Sequence, residues 1–138
     1  MATYLLDTNV ISELRRPRPQ DAVVAWLDSV ADADLRLAAV TIGEVQAGIE
    51  ITREQDSAKA TEIEAWLEQV AATWNVLAMD VPAFRCWVRL MHRRSDQLIE
   101  DAMIAAIAIV HDLTVVTRNV RDFAQLGVPT LDPFATRR

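Results

Sequence analysis

At 138 residues, 51% of them hydrophobic and only three of them glycine, the chain is sized for one globular domain spanning 1–138. A net charge of −6 argues against a broad basic surface for duplex DNA. The lone Cys86 offers neither a disulfide framework nor a zinc cluster and suits a reducing cytoplasm. The first nine residues lack a basic leader and meet an aspartate at position 7. The longest apolar run, Ala102–Val110, is too short to span a bilayer, so neither a secretory signal nor a membrane anchor is expected.

In chain order, Tyr4-Leu5-Leu6 climbs as a short apolar run to Asp7. The spacing then turns helical through Val10, Ile11 and Leu14, which reads as a strand passing straight into a helix. Arg15-Arg16-Pro17-Arg18-Pro19 breaks that helix. Asp21 is the expected cap of a second helix carrying Val23, Val24, Trp26 and Leu27. Leu35–Val40 reads as a second strand, and Thr41 opens a helix running toward Ile51. Ala58–Trp74 forms a longer amphipathic helix, turning back near Gln55-Asp56-Ser57 to make an αα-hairpin.

The alternation then repeats. Asn75–Met79 is a third strand, and Asp80 with Pro82 starts a helix toward Arg94. Glu100 and Asp101 lead a helix, Ala102–His111, that is apolar on every side and therefore expected to be buried. Leu113–Thr117 is a fourth strand, Asn119–Phe123 turns into a short helix, and Thr130-Leu131 adds a last short strand. The fold class is α/β, with a parallel sheet of about five strands flanked by helices.

In such a sheet the strand ends point one way, so Asp7, Glu44 and Asp122 converge on the edge where α/β proteins bind ligands; Asp101 heads the helix that feeds the fourth strand. Each acid also has a plain structural explanation. Asp7 or Thr8 caps the first helix, Thr41-x-x-Glu44 fits a capping box, and Asp101 and Asp122 complement helix dipoles. Carboxylates crowded together repel one another unless a cation sits among them. Oxygen ligands without histidine or cysteine suit Mg²⁺ or Mn²⁺ rather than zinc.

Four segments carry a resemblance: Leu5–Glu13, Thr41–Gly48, Glu100–Ala106 and Thr117–Phe123. In order and spacing they resemble the PIN-domain ribonucleases, and in particular the toxin subunits of VapBC toxin–antitoxin pairs, including the FitB-like branch. The resemblance runs from about Tyr4 to Phe134. It implies a single PIN-like domain, an acidic Mg²⁺/Mn²⁺ pocket, endonucleolytic cleavage of RNA, dimerisation and inhibition by a VapB-like antitoxin, with DNA contacted only through that antitoxin. Asp7, Glu44 and Asp101 match the family's acidic positions. Asn9 matches a residue that steadies the first aspartate, and Thr117 a pocket hydroxyl; Thr8 and Asn119 are further candidates for pocket support. Many relatives carry an acid directly after the Thr-Arg pair. Here Asn119 stands at that position, and the missing charge is assigned to Asp122, one helical turn later.

Histidine chemistry is not expected, because His111 ends a helix and His92 lies in an arginine-rich helix tail. Arg15, Arg16, Arg18, Arg118 and Arg121 flank the acidic motifs and are candidate RNA-phosphate contacts, with ordinary solvated faces as the alternative. The four tryptophans read as core or dimer interface. An antitoxin segment is expected in the groove of the αα-hairpin. A haloacid-dehalogenase-type phosphatase would want an acid where Asn9 stands, and a receiver domain a lysine at a late strand end. The competing reading on the same fold is a non-catalytic module acting with an antitoxin at its own promoter.

Overall fold

The structure, a computed structural model, describes residues 2–135; Met1 and residues 136–138 of the expected 1–138 domain lie outside the described part. Five strands form one parallel sheet: β1 (Tyr4–Leu6), β2 (Leu35–Ala38), β3 (Val76–Leu77), β4 (Thr114–Val116) and β5 (Thr130–Leu131), in the order β3-β2-β1-β4-β5. The helices are α1 (Thr8–Leu14), α2 (Asp21–Asp28), α3 (Ala39–Gln55), α4 (Ser57–Thr73), α5 (Val81–Met91), α6 (Ile99–His111) and α7 (Val120–Gln125).

Successive residues of a strand face opposite sides of the sheet, and the core divides accordingly. Leu5 and Val115 pack with Ala102, Ala105 and Ala108 of α6, with Ala83 of α5 and with Phe123 of α7. Leu6, Leu37 and Val116 pack on the other side with Val10, Ile11, Val23 and Val70 from α1, α2 and α4. Both sheet faces are therefore covered, as parallel sheets require. The small side chains of α6 sink it into this core. Its last turn emerges, leaving Ile109 and Val110 exposed, which corrects the expectation of burial on every side. Asp112 then closes α6 in the left-handed conformation (φ 56°), with its backbone N–H returned to Ala108 and Ile109, and the chain turns directly into β4.

Several boundaries differ from the sequence reading for local reasons. Ala39 and Val40 are helical rather than extended, because the ladders of β2 stop at Leu37↔Leu6 and Ala38↔Leu77, where the neighbouring strands end. Asp21 is the first helical residue of α2, not its cap. The cap position belongs to Gln20, whose N–H donates to the buried Glu13 carboxylate at 3.0 Å. Glu13 also accepts from Arg16 at 3.3 Å, so the proline-rich turn is tied back onto α1. α5 stops at Met91, two residues before Arg93 adopts φ 63°. The expected αα-hairpin turn is present, with Asp56 capping α4 through Lys59 N–H at 3.0 Å. Its groove, however, is filled from within by Ile49, Ala60, Ile63 and Leu67. Ile51 is the one exposed large hydrophobic residue of the pair, and Ile42, Val45 and Trp66 are half-buried beside that cluster. All four tryptophans are half-buried against the core. Among the described residues no helix is long and apolar enough to cross a membrane.

Candidate active site

β1 is the central strand, and its last peptide fixes the site: Asp7 N–H donates to Val116 O of β4 at 2.9 Å. Asp7 caps α1, with Oδ1 accepting from Thr8 N–H at 2.8 Å. The capping reading and the pocket reading thus describe the same side chain. Its other oxygen, Oδ2, accepts from the Thr117 hydroxyl at 2.8 Å and from Asn9 Nδ2 at 3.1 Å. Only 3% of Asp7 is exposed, and burial lifts its carboxyl above the usual range although the Thr117 and Thr8 hydrogen bonds pull it down.

Thr117, fully buried, is the knot of this shell. Its hydroxyl donates to Asp7 and accepts from Asn9 Nδ2 at 3.3 Å and from Asn119 N–H at 2.9 Å. Asn9 Oδ1 in turn accepts from Arg118 N–H at 3.3 Å.

Glu44 enters from the second turn of α3. Because α3 starts at Ala39, Thr41 is not a cap and no capping box forms. Instead Thr8 Oγ1 donates to Glu44 Oε1 at 2.7 Å and lies 3.2 Å from Thr41 Oγ1. Burial, a carboxyl–carboxyl hydrogen bond with Glu100 and the charges of Glu100 and Asp7 push Glu44 up to about 8. Asp101, in the first turn of α6, is pushed up to about 6 by burial and by the charges of Asp7, Asp122 and Glu100. Asp122 lies in the first turn of α7 and makes itself felt as a charge on Asp101, whereas Asn119 contributes the backbone cap of α7 and no side-chain bond. Five carboxyl groups therefore act on one another at this sheet edge. The fifth, Glu100, was missed as a site residue. Its signal was adjacency to Asp101 at a helix start, where both side chains reach the same end of the helix.

No arginine, lysine or histidine among the described residues forms an ion pair with any of the five. Of the candidate phosphate contacts, Arg15, Arg16 and Arg18 are exposed on the turn after α1, with Arg16 paired to Glu13, and Arg121 is exposed on α7. The Arg118 guanidinium stacks 3.8 Å above the Phe134 ring. A cleft of about 500 Å³ lies elsewhere, between α2 and the segment after β5. Asp21, Trp26, Ser29 and Asp132 line it, and it includes none of the five acids.

The donor set fits a hard divalent cation: oxygen ligands only, no cationic partner, and two carboxyls whose pKa is raised by burial and by their acidic neighbours. As placed, no three acidic, histidine or cysteine groups among the described residues are gathered closely enough to enclose an ion. The reason is visible in the bonds: Glu44 is occupied by Thr8 and Glu100, and Asp7 by Thr8, Asn9 and Thr117.

The PIN domain family model matches residues 4–129. Toxin FitB of Neisseria gonorrhoeae is 34% identical over 137 residues, covering 94% of this chain and 97% of that protein. VapC ribonuclease Y4jK of Sinorhizobium fredii is 34% identical, covering 94% and 96%. The crystal structure of FitAcB from Neisseria gonorrhoeae superposes with a TM-score of 0.85 at 33% identity, over 97% of this chain and all of that one. Sequence, sheet order and relatives agree: the chain belongs to the PIN-domain family, among its FitB- and VapC-type members.

Proposed function

We propose that the chain is a metal-dependent endoribonuclease, the toxin of a toxin–antitoxin pair, working in the cytoplasm on cellular RNA. The observation that carries this reading is the five-carboxyl edge without a cationic partner, in a chain whose relatives include a named ribonuclease and a named toxin.

Asp7 is the fixed ligand, since its backbone is pinned to β4 and both its oxygens are held by donors. Asp101 would hold Mg²⁺ or Mn²⁺ together with it. Glu44 and Asp122 would complete the charge around it, Glu44 being now bonded to Thr8 and Glu100. Thr8, Asn9 and Thr117 hold the first acids, and Asn119 holds Thr117 from the backbone. When bound, the ion lowers the pKa of a water, polarises the phosphoryl oxygen and steadies the leaving 3′-oxygen. Arg15, Arg16, Arg18 and Arg121, exposed around the acidic segments, supply phosphate attraction.

The partner is a VapB-like antitoxin, and DNA is reached only through it, in keeping with the net charge of −6. The free form is a homodimer, a state supported by the exposed row Val81, Phe84 and Val88 on α5.

The test is cleavage of oligoribonucleotides by the purified chain with Mg²⁺, with Mn²⁺ and with EDTA, and with added antitoxin. Cleavage in either metal that EDTA and antitoxin both abolish supports the reading. Undiminished cleavage in EDTA, or none in either metal by a folded chain, overturns it.

A further inference from the structure

The side chain of Arg118 is set apart from the other cations of the site. Its backbone N–H is fixed by Asn9 Oδ1 at 3.3 Å, and Asn9 also holds Asp7. Its guanidinium carbon sits over the Phe134 ring, 3.8 Å from the centroid. Phe134 is itself half-buried against the core of the α1/α2 face, and its N–H is bound by Asp132 Oδ1 at 2.8 Å. Among the described residues no carboxylate pairs with Arg118, and the residue is exposed. A long cationic side chain held at both ends and left without a counter-ion is preorganised for an anion from outside the chain. The cation–π contact with the ring occupies one side of the guanidinium, and its N–H groups, which make no side-chain hydrogen bond among the described residues, can serve two oxygens of a phosphate.

We infer that Arg118, braced by Phe134, is a phosphate-binding subsite for single-stranded RNA beside the acidic pocket. It engages a phosphate next to the one cleaved. Arg118 follows β4 and Phe134 follows β5, one and two strands from the β1 end that carries Asp7, or about 5 and 10 Å at ~4.8 Å per strand. The subsite therefore lies on the β5 side of Asp7, and the strand it grips crosses the sheet edge from β5 toward β1. This inference rests on the ribonuclease reading, and the experiment separates the two.

Binding of a fluorescent single-stranded oligoribonucleotide is measured in Mn²⁺ in the Asp101→Asn background, across a range of salt. Cleavage is measured separately in the parent chain. Arg118→Gln should weaken binding roughly tenfold, and lower the slope of log affinity against log salt by about 0.7, the share of one phosphate on a single strand. In the cleaving chain it should raise KM more than it lowers kcat. Arg118→Lys should keep the salt slope yet recover only part of the affinity. Phe134→Leu, which leaves the charge but removes the brace, should fall between. Lys59→Gln, a matched charge loss on α4, should change neither affinity nor slope. If Arg118→Gln binds with the parent's affinity and slope, or loses no more than Lys59→Gln, the subsite is refuted even where the parent cleaves RNA. If the parent cleaves no RNA while Arg118→Gln shows the binding loss, the ribonuclease reading fails and the subsite stands.

Discussion

Two groups of glutamates on the α3–α4 hairpin occupy opposite electrostatic situations. Glu50 and Glu64 are bridged by Arg53 and Gln46, with Arg53 3.1 Å from Glu50 and 3.0 Å from Glu64, and these contacts hold both carboxyls below the usual range. Glu44, less than two turns earlier on α3, meets a hydroxyl and another carboxyl and is pushed up to about 8. Glu44 and Glu50 share residue type and helix; the difference is whether the fold supplies a cation. At the hairpin it does, in solvent, where the gain is small. At the sheet edge it does not, and the charge is left for something that binds.

Removing the acids tests that contrast most severely. Asp7→Asn and Asp101→Asn should each lower cleavage of an oligoribonucleotide at least about a hundredfold, as expected on losing a ligand of a catalytic ion. Single-turnover rates at saturating Mn²⁺ would measure this, and a loss below tenfold would remove either residue from the ligand set.

The next effect concerns charge placement at α7. Asp122→Asn should weaken Mn²⁺ binding by titration calorimetry, and adding Asn119→Asp should restore much of it, since both positions share a helical face. A drop in thermal stability with Mn²⁺ affinity intact would assign Asp122 to its helix dipole alone.

A smaller effect is carried by pH. A carboxyl whose folded pKa exceeds its unfolded value stabilises the fold fully below the unfolded pKa and loses that contribution as pH rises through the folded one. For Glu44, raised from 4.5 to about 8, the metal-free chain should lose Tm across that interval; Asp101, raised from 3.8 to about 6, adds to the lower part. Glu44→Gln should flatten the upper part of the Tm–pH curve and leave the variant with the higher Tm at pH 8. Saturating Mn²⁺ should flatten it in the parent. An unchanged slope in Glu44→Gln would mean the carboxyl is better solvated than its surroundings imply.

The smallest effect belongs to the hairpin. Arg53→Ala should leave Tm within the scatter of a melting experiment, because exposed ion pairs contribute little. A clear drop would make the two regions more alike than their burial suggests.

The legible parts of the fold were those where local pattern and tertiary packing agree. Tyr4-Leu5-Leu6 and Thr114-Val115-Val116 read as strands because both of their faces are buried, and Asp80 read as a cap because a cap is a local bond. Val40 was misread because β-branching favours a strand, while the place where β2 ends is set by its neighbours. Periodicity showed which faces of the hairpin are apolar, but not that Ile49, Ala60, Ile63 and Leu67 are spent on packing α3 against α4. In the site, the carboxyls after strand ends followed from topology. Glu100 and the Thr8–Glu44 bond depend on side-chain direction, which spacing alone does not give.

The bond between Thr117 and Asp7 joins residues 110 positions apart, and β1 needs β4 as its neighbour just as Asp7 needs Thr117. At about 5–20 residues per second of synthesis, roughly 5–20 s separate the appearance of the first acid from that of its last support. During that interval the central strand lacks one of its two neighbours, and Asp7 has neither its hydroxyl donor nor the β4 carbonyl that anchors its backbone. Maturation is thus ordered in time: a chain released early, or still emerging, carries the leading aspartate without the shell that holds it in place.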